Sequence, residues 1–231
     1  MTTDVNNFGP RFAVTLAALR KSGACYEGYN KLVRSIQGET FSVEDADRES
    51  YIHFKHDAEI PLLYILKSNG LDDALWTLRC ISGADRDLRL FAVWCARQVE
   101  HLMQDRRSKD ALNVAERFAN GGATDEERAA AWDAARAAAR DAWAAARDAA
   151  GADAGDSAWA AARAAARAAA WDVAYAAARD AAGAAAWDAA RAAARAAAWD
   201  AAWDAARDAQ KEMFERMCLG TAPWQQAKVA A

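Results

Sequence analysis

The sequence predicts an all-α fold, with N-terminal stacked short helical hairpins followed by long Ala-rich antiparallel helices in a bundle. Three observations predict it. Residues 62–222 contain no proline, and an interior proline costs a helix about 3 kcal/mol. No segment shows the sustained period-2 alternation of a half-buried strand. From Ala129 to Ala209, 48 of 81 residues are Ala, the strongest helix former.

The elements follow in order. Pro10 can open a helix that Gly23 ends, and Gly38 ends a second. Ser42 caps a third, with Asp45 in its first turn. Pro61 opens Leu62–Ser68, which Asn69-Gly70 stops as a left-handed cap. Leu71, Ala74, Leu75, Leu78 and Ile81 then form one apolar stripe, and Gly83 ends it. Leu88, Phe91, Cys95, Val99 and Leu102 recur at helical spacing. Ser108 can cap Lys109–Ala119, which stops at Asn120-Gly121-Gly122. Short helices joined by such turns stack as hairpins.

Composition changes after Gly122, which divides the chain into a short-helix domain (1–122), repeat helices (123–217) and a tail (218–231). Thr124 to Glu127 reads as a capping box. Residues 157–182 match 185–210 at a shift of 28, and a shorter first copy begins at Trp132. Breaks at Gly151–Gly155 and Gly183 predict two or three helices of about 25 residues, each roughly 38 Å long. Ala supplies little apolar area, so these helices rely on close backbone approach and on Trp.

Bulk properties bound the function. A net charge of -4 and a pI of about 5.5 give no global attraction to duplex nucleic acid. No run reaches the roughly 18 apolar residues of a membrane helix. The N-terminus lacks a basic region followed by an apolar one, so no secretory signal is expected. Cys25, Cys80, Cys95 and Cys218 are scattered without a CxxC pair, as suits free thiols in a reducing cytoplasm. Nucleotide-loop and nucleophile-elbow patterns are missing, and no Ser/His/Asp or Cys/His grouping stands out. The expectation is a non-catalytic protein without a cofactor.

The sharpest candidate site is a ladder at four-residue spacing. One copy reads Trp159, Arg163, Arg167, Trp171, Tyr175, Arg179; the next reads Trp187, Arg191, Arg195, Trp199, Trp203, Arg207. The first copy begins Trp132, Arg136, Arg140. Residues four apart are helix neighbours, and like charges there repel modestly. Asp from a neighbouring helix would relieve this repulsion, making the ladder packing and surface ion pairs. An anionic ligand would also relieve it, because Arg holds phosphates and aromatic faces stack on bases.

Three smaller clusters accompany the ladder. Asp72 and Asp73 open a helix that carries Trp76 off its apolar stripe, either as a partner-binding anchor or as a packed residue. Trp94, Arg97 and His101 pose the same choice. His53-x-x-His56 with Asp57 and Glu59 has metal-like residue types. No second ligand pair joins it, so no metal is expected.

Three runs carry a resemblance: IPLLYILKSNGLDDALWTLRC, DRDLRLFAVWCARQVEHLM and SKDALNVAERFANG, followed by the Ala/Arg/Asp/Trp region. Together they resemble a group of Ala-rich helical phage and prophage proteins, which are in turn similar to the all-helical immunity proteins of bacterial toxin systems. The resemblance spans about residues 10–217. It implies a stoichiometric binder in a bacterial cytoplasm that neutralises a protein toxin or defence effector. A phage setting also leaves open a sponge for a small anionic nucleotide signal. A third reading is a structural module, in which Ala faces pack between copies in a homo-oligomer.

Overall fold

The computed structural model describes residues 12–98, 100–103, 105–150 and 203–226. Among these residues the fold is all-α apart from one two-stranded contact. The chain forms two compact units, residues 1–83 with 213–231, and residues 84–212. The boundaries of these units fall after Gly83 and before Met213.

In the first unit, Pro10 lies outside the described residues. Strand β1 (Ala13–Val14) pairs antiparallel with β2 (Ile60–Pro61), with Ala13 opposite Pro61 and Val14 opposite Ile60. Two residues per strand are too few to produce an alternation, which is why the sequence does not announce them. Helix α1 (Leu16–Lys21) starts at Thr15, whose Oγ1 accepts from the Ala18 N–H at 3.2 Å. Helix α2 (Tyr26–Gln37) ends at Gly38 as expected. Helix α3 (Val43–Ala46) has the Ser42/Asp45 capping box.

Asp45 also tethers α3 to α2. Arg34 donates from Nε to Oδ2 at 3.0 Å and from Nη2 to Oδ1 at 2.8 Å; the same guanidinium pairs with Glu39. The carboxylate is 3% exposed. Its bonds from Arg34, with help from Ser42, outweigh burial and hold its pKa at about 2, below the ordinary 3.8. The ionised form is thus favoured by folding, and its contribution is complete above the ordinary value and disappears as pH falls toward 2. Asp45→Asn is expected to lower the urea midpoint near neutrality, with the gap to wild type closing between pH 4 and 2. A gap that stays constant over that range in urea titrations would contradict this assignment.

Helix α4 (Leu62–Asn69) runs into α5 (Leu71–Trp76) through Gly70. Gly70 is not the left-handed cap expected. Its φ of 99° and ψ of 179° lie in a region essentially reserved for glycine, which bends the chain between the helices. The stripe expected as one helix through Ile81 changes to a 3₁₀ turn at Thr77–Cys80. Thr77 Oγ1 donates to the Ala74 carbonyl at 2.7 Å, a bond of the kind that competes with helix continuation. The core holds Leu16, Leu32, Leu62, Ile65, Leu75 and Leu78.

In the second unit, α6 (Asp85–Gln98) buries Leu88, Phe91 and Cys95 as the periodicity predicts. Val99 lies outside the described residues, and Glu100–Leu102 form a 3₁₀ turn. Helix α7 (Arg106–Ala119) begins at Asp105, whose carboxylate accepts from the Arg107 N–H at 2.8 Å. Ser108 is a buried helical residue, not the cap; Asp105 captures the free N–H first and also pairs with the Arg107 guanidinium. Helix α8 (Asp125–Ala150) packs on α7. Its capping box is formed: Glu127 accepts from the Thr124 N–H at 2.8 Å, and Thr124 Oγ1 from the Glu127 N–H at 3.2 Å. Ala135 and Ala138 are buried. The later repeat copies, through residue 202, lie outside the described residues.

Helix α9 (Trp203–Cys218) and the short α10 (Pro223–Gln226) follow. From Met213 onward the chain belongs to the first unit, with Met213, Phe214, Met217, Cys218 and Ala222 buried. Within the 218–231 region, Cys218 and Ala222 thus contribute to a core. Among the described residues no helix is long and apolar enough to cross a membrane.

Candidate functional site

A cleft of about 390 Å³ opens in the first unit, lined by Ala17 and Arg20 of α1 and by residues 51–57. Its wall is an irregular segment between α3 and β2, and side chains rather than a backbone ladder hold that segment. Asn30 of α2 is fully buried. Its Nδ2 donates to the Ser50 carbonyl at 3.0 Å, and its Oδ1 accepts from the Ile52 N–H at 2.8 Å. Tyr51 Oη donates to the Ala24 carbonyl at 2.6 Å. The Tyr51 ring meets Tyr26 and Tyr29 edge-on, with centroids 4.7 Å apart in both pairs. Ile52 tucks into the core.

The opposite wall carries Arg20. Its Nη1 donates to Tyr29 Oη at 2.6 Å, and its Cζ lies 5.6 Å from that ring's centroid. Burial pushes the Tyr29 phenol pKa up, so this anchor stays neutral and does not itself offset the charge of the exposed guanidinium. Among the described residues no carboxylate makes an ion pair with Arg20 or Lys55. Asp57 is the one carboxylate among the lining residues. Phe54 and His56 stack at 5.7 Å with an interplanar angle of 11°. The arrangement offers cationic donors beside aromatic faces, a combination that receives an anion.

Trp159, Arg163, Arg167, Trp171, Trp187, Arg191, Arg195 and Trp199 lie outside the described residues. In the first ladder copy, Arg136 sits 5.5 Å from the Trp132 ring centroid, a cation–π contact within one helix, and Arg140 is exposed.

Asp73 has a structural task. It accepts from Asn69 Nδ2 at 2.8 Å, and Asn69 also donates to the Gly28 carbonyl at 2.7 Å. A Cβ on Gly28 would stand 2.8 Å from Asp73 Oδ2, so glycine permits this approach of α5 to α2. Asp72 is exposed, and Trp76 is half-buried with the Arg79 Cζ 4.6 Å from its ring centroid. Arg97 donates to Glu100 at 2.9 Å, Asn113 at 2.9 Å and Glu116 at 2.8 Å, joining α6 to α7. Trp94 stacks on Phe91, and His101 is exposed.

His53, His56 and Asp57, metal-like residue types by sequence, line the cleft. Among the described residues no group of three His, Cys, Asp or Glu could hold a metal ion. Arg20, Tyr51 and Lys55 were not singled out. The signal for Tyr51 and Lys55 is a basic and aromatic run, YIHFKH, between Glu49 and Asp57; Arg20 lies outside it. The buried cysteines are poor nucleophiles: burial raises the Cys95 thiol pKa strongly and pushes Cys218 up to about 12.

No protein-family model matches the chain, and no curated protein or solved structure shows a significant similarity to it.

Proposed function

We propose that this chain is a non-catalytic binding protein that captures an anionic ligand in the cleft of its first unit. The observation that carries the reading is the Arg20 guanidinium, fixed on a neutral buried tyrosine and facing the same cleft as Lys55. The cleft volume falls in the range of small-molecule sites, which favours the small-anion reading. The resemblance described above favours a second reading, an immunity-like inhibitor that takes an acidic side chain of a toxin or defence effector in the same cleft. Tyr26, 43% exposed beside Tyr51, would then supply an aromatic rim contact.

Native mass spectrometry of the full chain purified gently from a bacterial host separates the two. The small-anion reading expects extra mass that denaturation releases as a small anion. A stoichiometric protein companion supports the inhibitor. The double variant Arg20→Ala/Lys55→Ala is expected to lose either companion, with affinity reduced roughly tenfold or more per cation removed. Retention of the companion by a folded double variant refutes the cleft as the site. A bare chain that also fails to bind any anion in calorimetric titration refutes the small-anion reading.

A further inference from the structure

We infer that the cleft takes a phosphomonoester carried on a planar ring, in chemical class a nucleoside monophosphate. The inference rests on the anion-binding reading and specifies its ligand.

The phosphate follows from the donors. Arg20 commits Nη1 to Tyr29 Oη. Its Nε and Nη2 have no hydrogen-bond partner among the described residues, and that edge presents two parallel N–H bonds. Such a pair matches two oxygens of one oxyanion. Lys55 adds a second cation, and His53 and His56 add ring nitrogens. A carboxylate has two oxygens and one charge for this set. A phosphomonoester brings three terminal oxygens and a charge near -2, which Arg20 and Lys55 together neutralise. Asp57 on the same wall repels further negative charge, so one phosphate is favoured over a polyphosphate chain.

The ring follows from the aromatics. Phe54 and His56 lie nearly parallel, and both are half-buried. They form a short stack with an outer face on which another planar ring can continue. Stacking of a base on an aromatic side chain is sequence-tolerant and strengthens binding by about tenfold. Asn30 fixes this wall through Ile52, so the platform exists before the ligand arrives and ordering it costs little.

Calorimetric titration of the full chain in a phosphate-free buffer tests the inference. The probes are a nucleoside 5′-monophosphate, ribose 5-phosphate, inorganic phosphate, citrate, a nucleoside triphosphate and a short 5′-phosphorylated single strand. The monophosphate is expected to bind about tenfold more tightly than ribose 5-phosphate and more tightly than the triphosphate or citrate. Phe54→Ala is expected to weaken the monophosphate more than ribose 5-phosphate and so erase the preference between them. Lys55→Gln, an exposed change compatible with folding, is expected to weaken every phosphate ligand about tenfold. Equal affinity for ribose 5-phosphate and the monophosphate, or tighter citrate binding, overturns the inference and leaves the anion-binding reading standing. Tighter binding of the single strand overturns the free mononucleotide in favour of a nucleic-acid end. Failure of every anion to bind overturns both readings.

Discussion

A chain cut after Glu212 is expected to lose the fold of its first unit. The cut removes Met213, Phe214 and Met217, which are 6%, 0% and 0% exposed. Deleting a large buried side chain costs about 2–5 kcal/mol, so three together approach or exceed the roughly 5–15 kcal/mol that separates native from unfolded domains. Phe214→Ala alone is expected to cost about 3–5 kcal/mol. Hydrogen exchange measures the outcome by region. Amides of α2 and α4 should lose protection in the shortened chain. Unchanged protection there would mean that the C-terminal residues cover a surface rather than complete a core.

The second large effect is expected at Asn30. Asn30→Ala leaves the buried Ile52 N–H without its acceptor and removes the donor to the Ser50 carbonyl. A buried unsatisfied group costs about 1–3 kcal/mol. Ser50 is exposed and can bond water instead, so the total should be about 2–3 kcal/mol. Ligand affinity should fall as well, because the segment bearing Phe54 and Lys55 loses its anchor. Asn30→Asp separates the two bonds. It keeps an acceptor for Ile52 but sets a carboxylate oxygen against the Ser50 carbonyl in a buried site, so it should not rescue stability. Urea unfolding and calorimetry on the two variants supply both readouts. Anion affinity that survives Asn30→Ala intact would detach the cleft wall from this clamp.

Local chemistry was legible wherever one residue decides it. The Thr124/Glu127 box, the Ser42 cap and the stop at Gly38 are read from sequence and stand in the structure, which adds the reciprocal Asp45 bond at Ser42. Competition between neighbours was not legible. Asp105 and Ser108 are both good caps, and only the bond actually made shows that Asp105 wins. The stripe from Leu71 to Ile81 fits an α-helix and a helix that tightens to 3₁₀ equally well, until Thr77 bonds back to Ala74. The cleft was hidden for a third reason. Arg20 and Lys55 belong to segments brought together by bonds from Tyr29, Asn30 and Tyr51, and no periodicity encodes contacts of that kind. The Ala-rich repeat stands out because its pattern is local, while the cleft spreads over Ala17 to Asp57 with ordinary composition.

The Asn30 clamp has a consequence for how such a protein can change. A wall held through Asn30, Tyr51 and the buried Ile52 asks nothing of the side chains at positions 53–57. Those positions can be exchanged, and recognition altered with them, while the helices and their packing stay as they are. Substitutions at these five positions should therefore leave the stability of the helices almost unchanged, even where they alter what the cleft can hold.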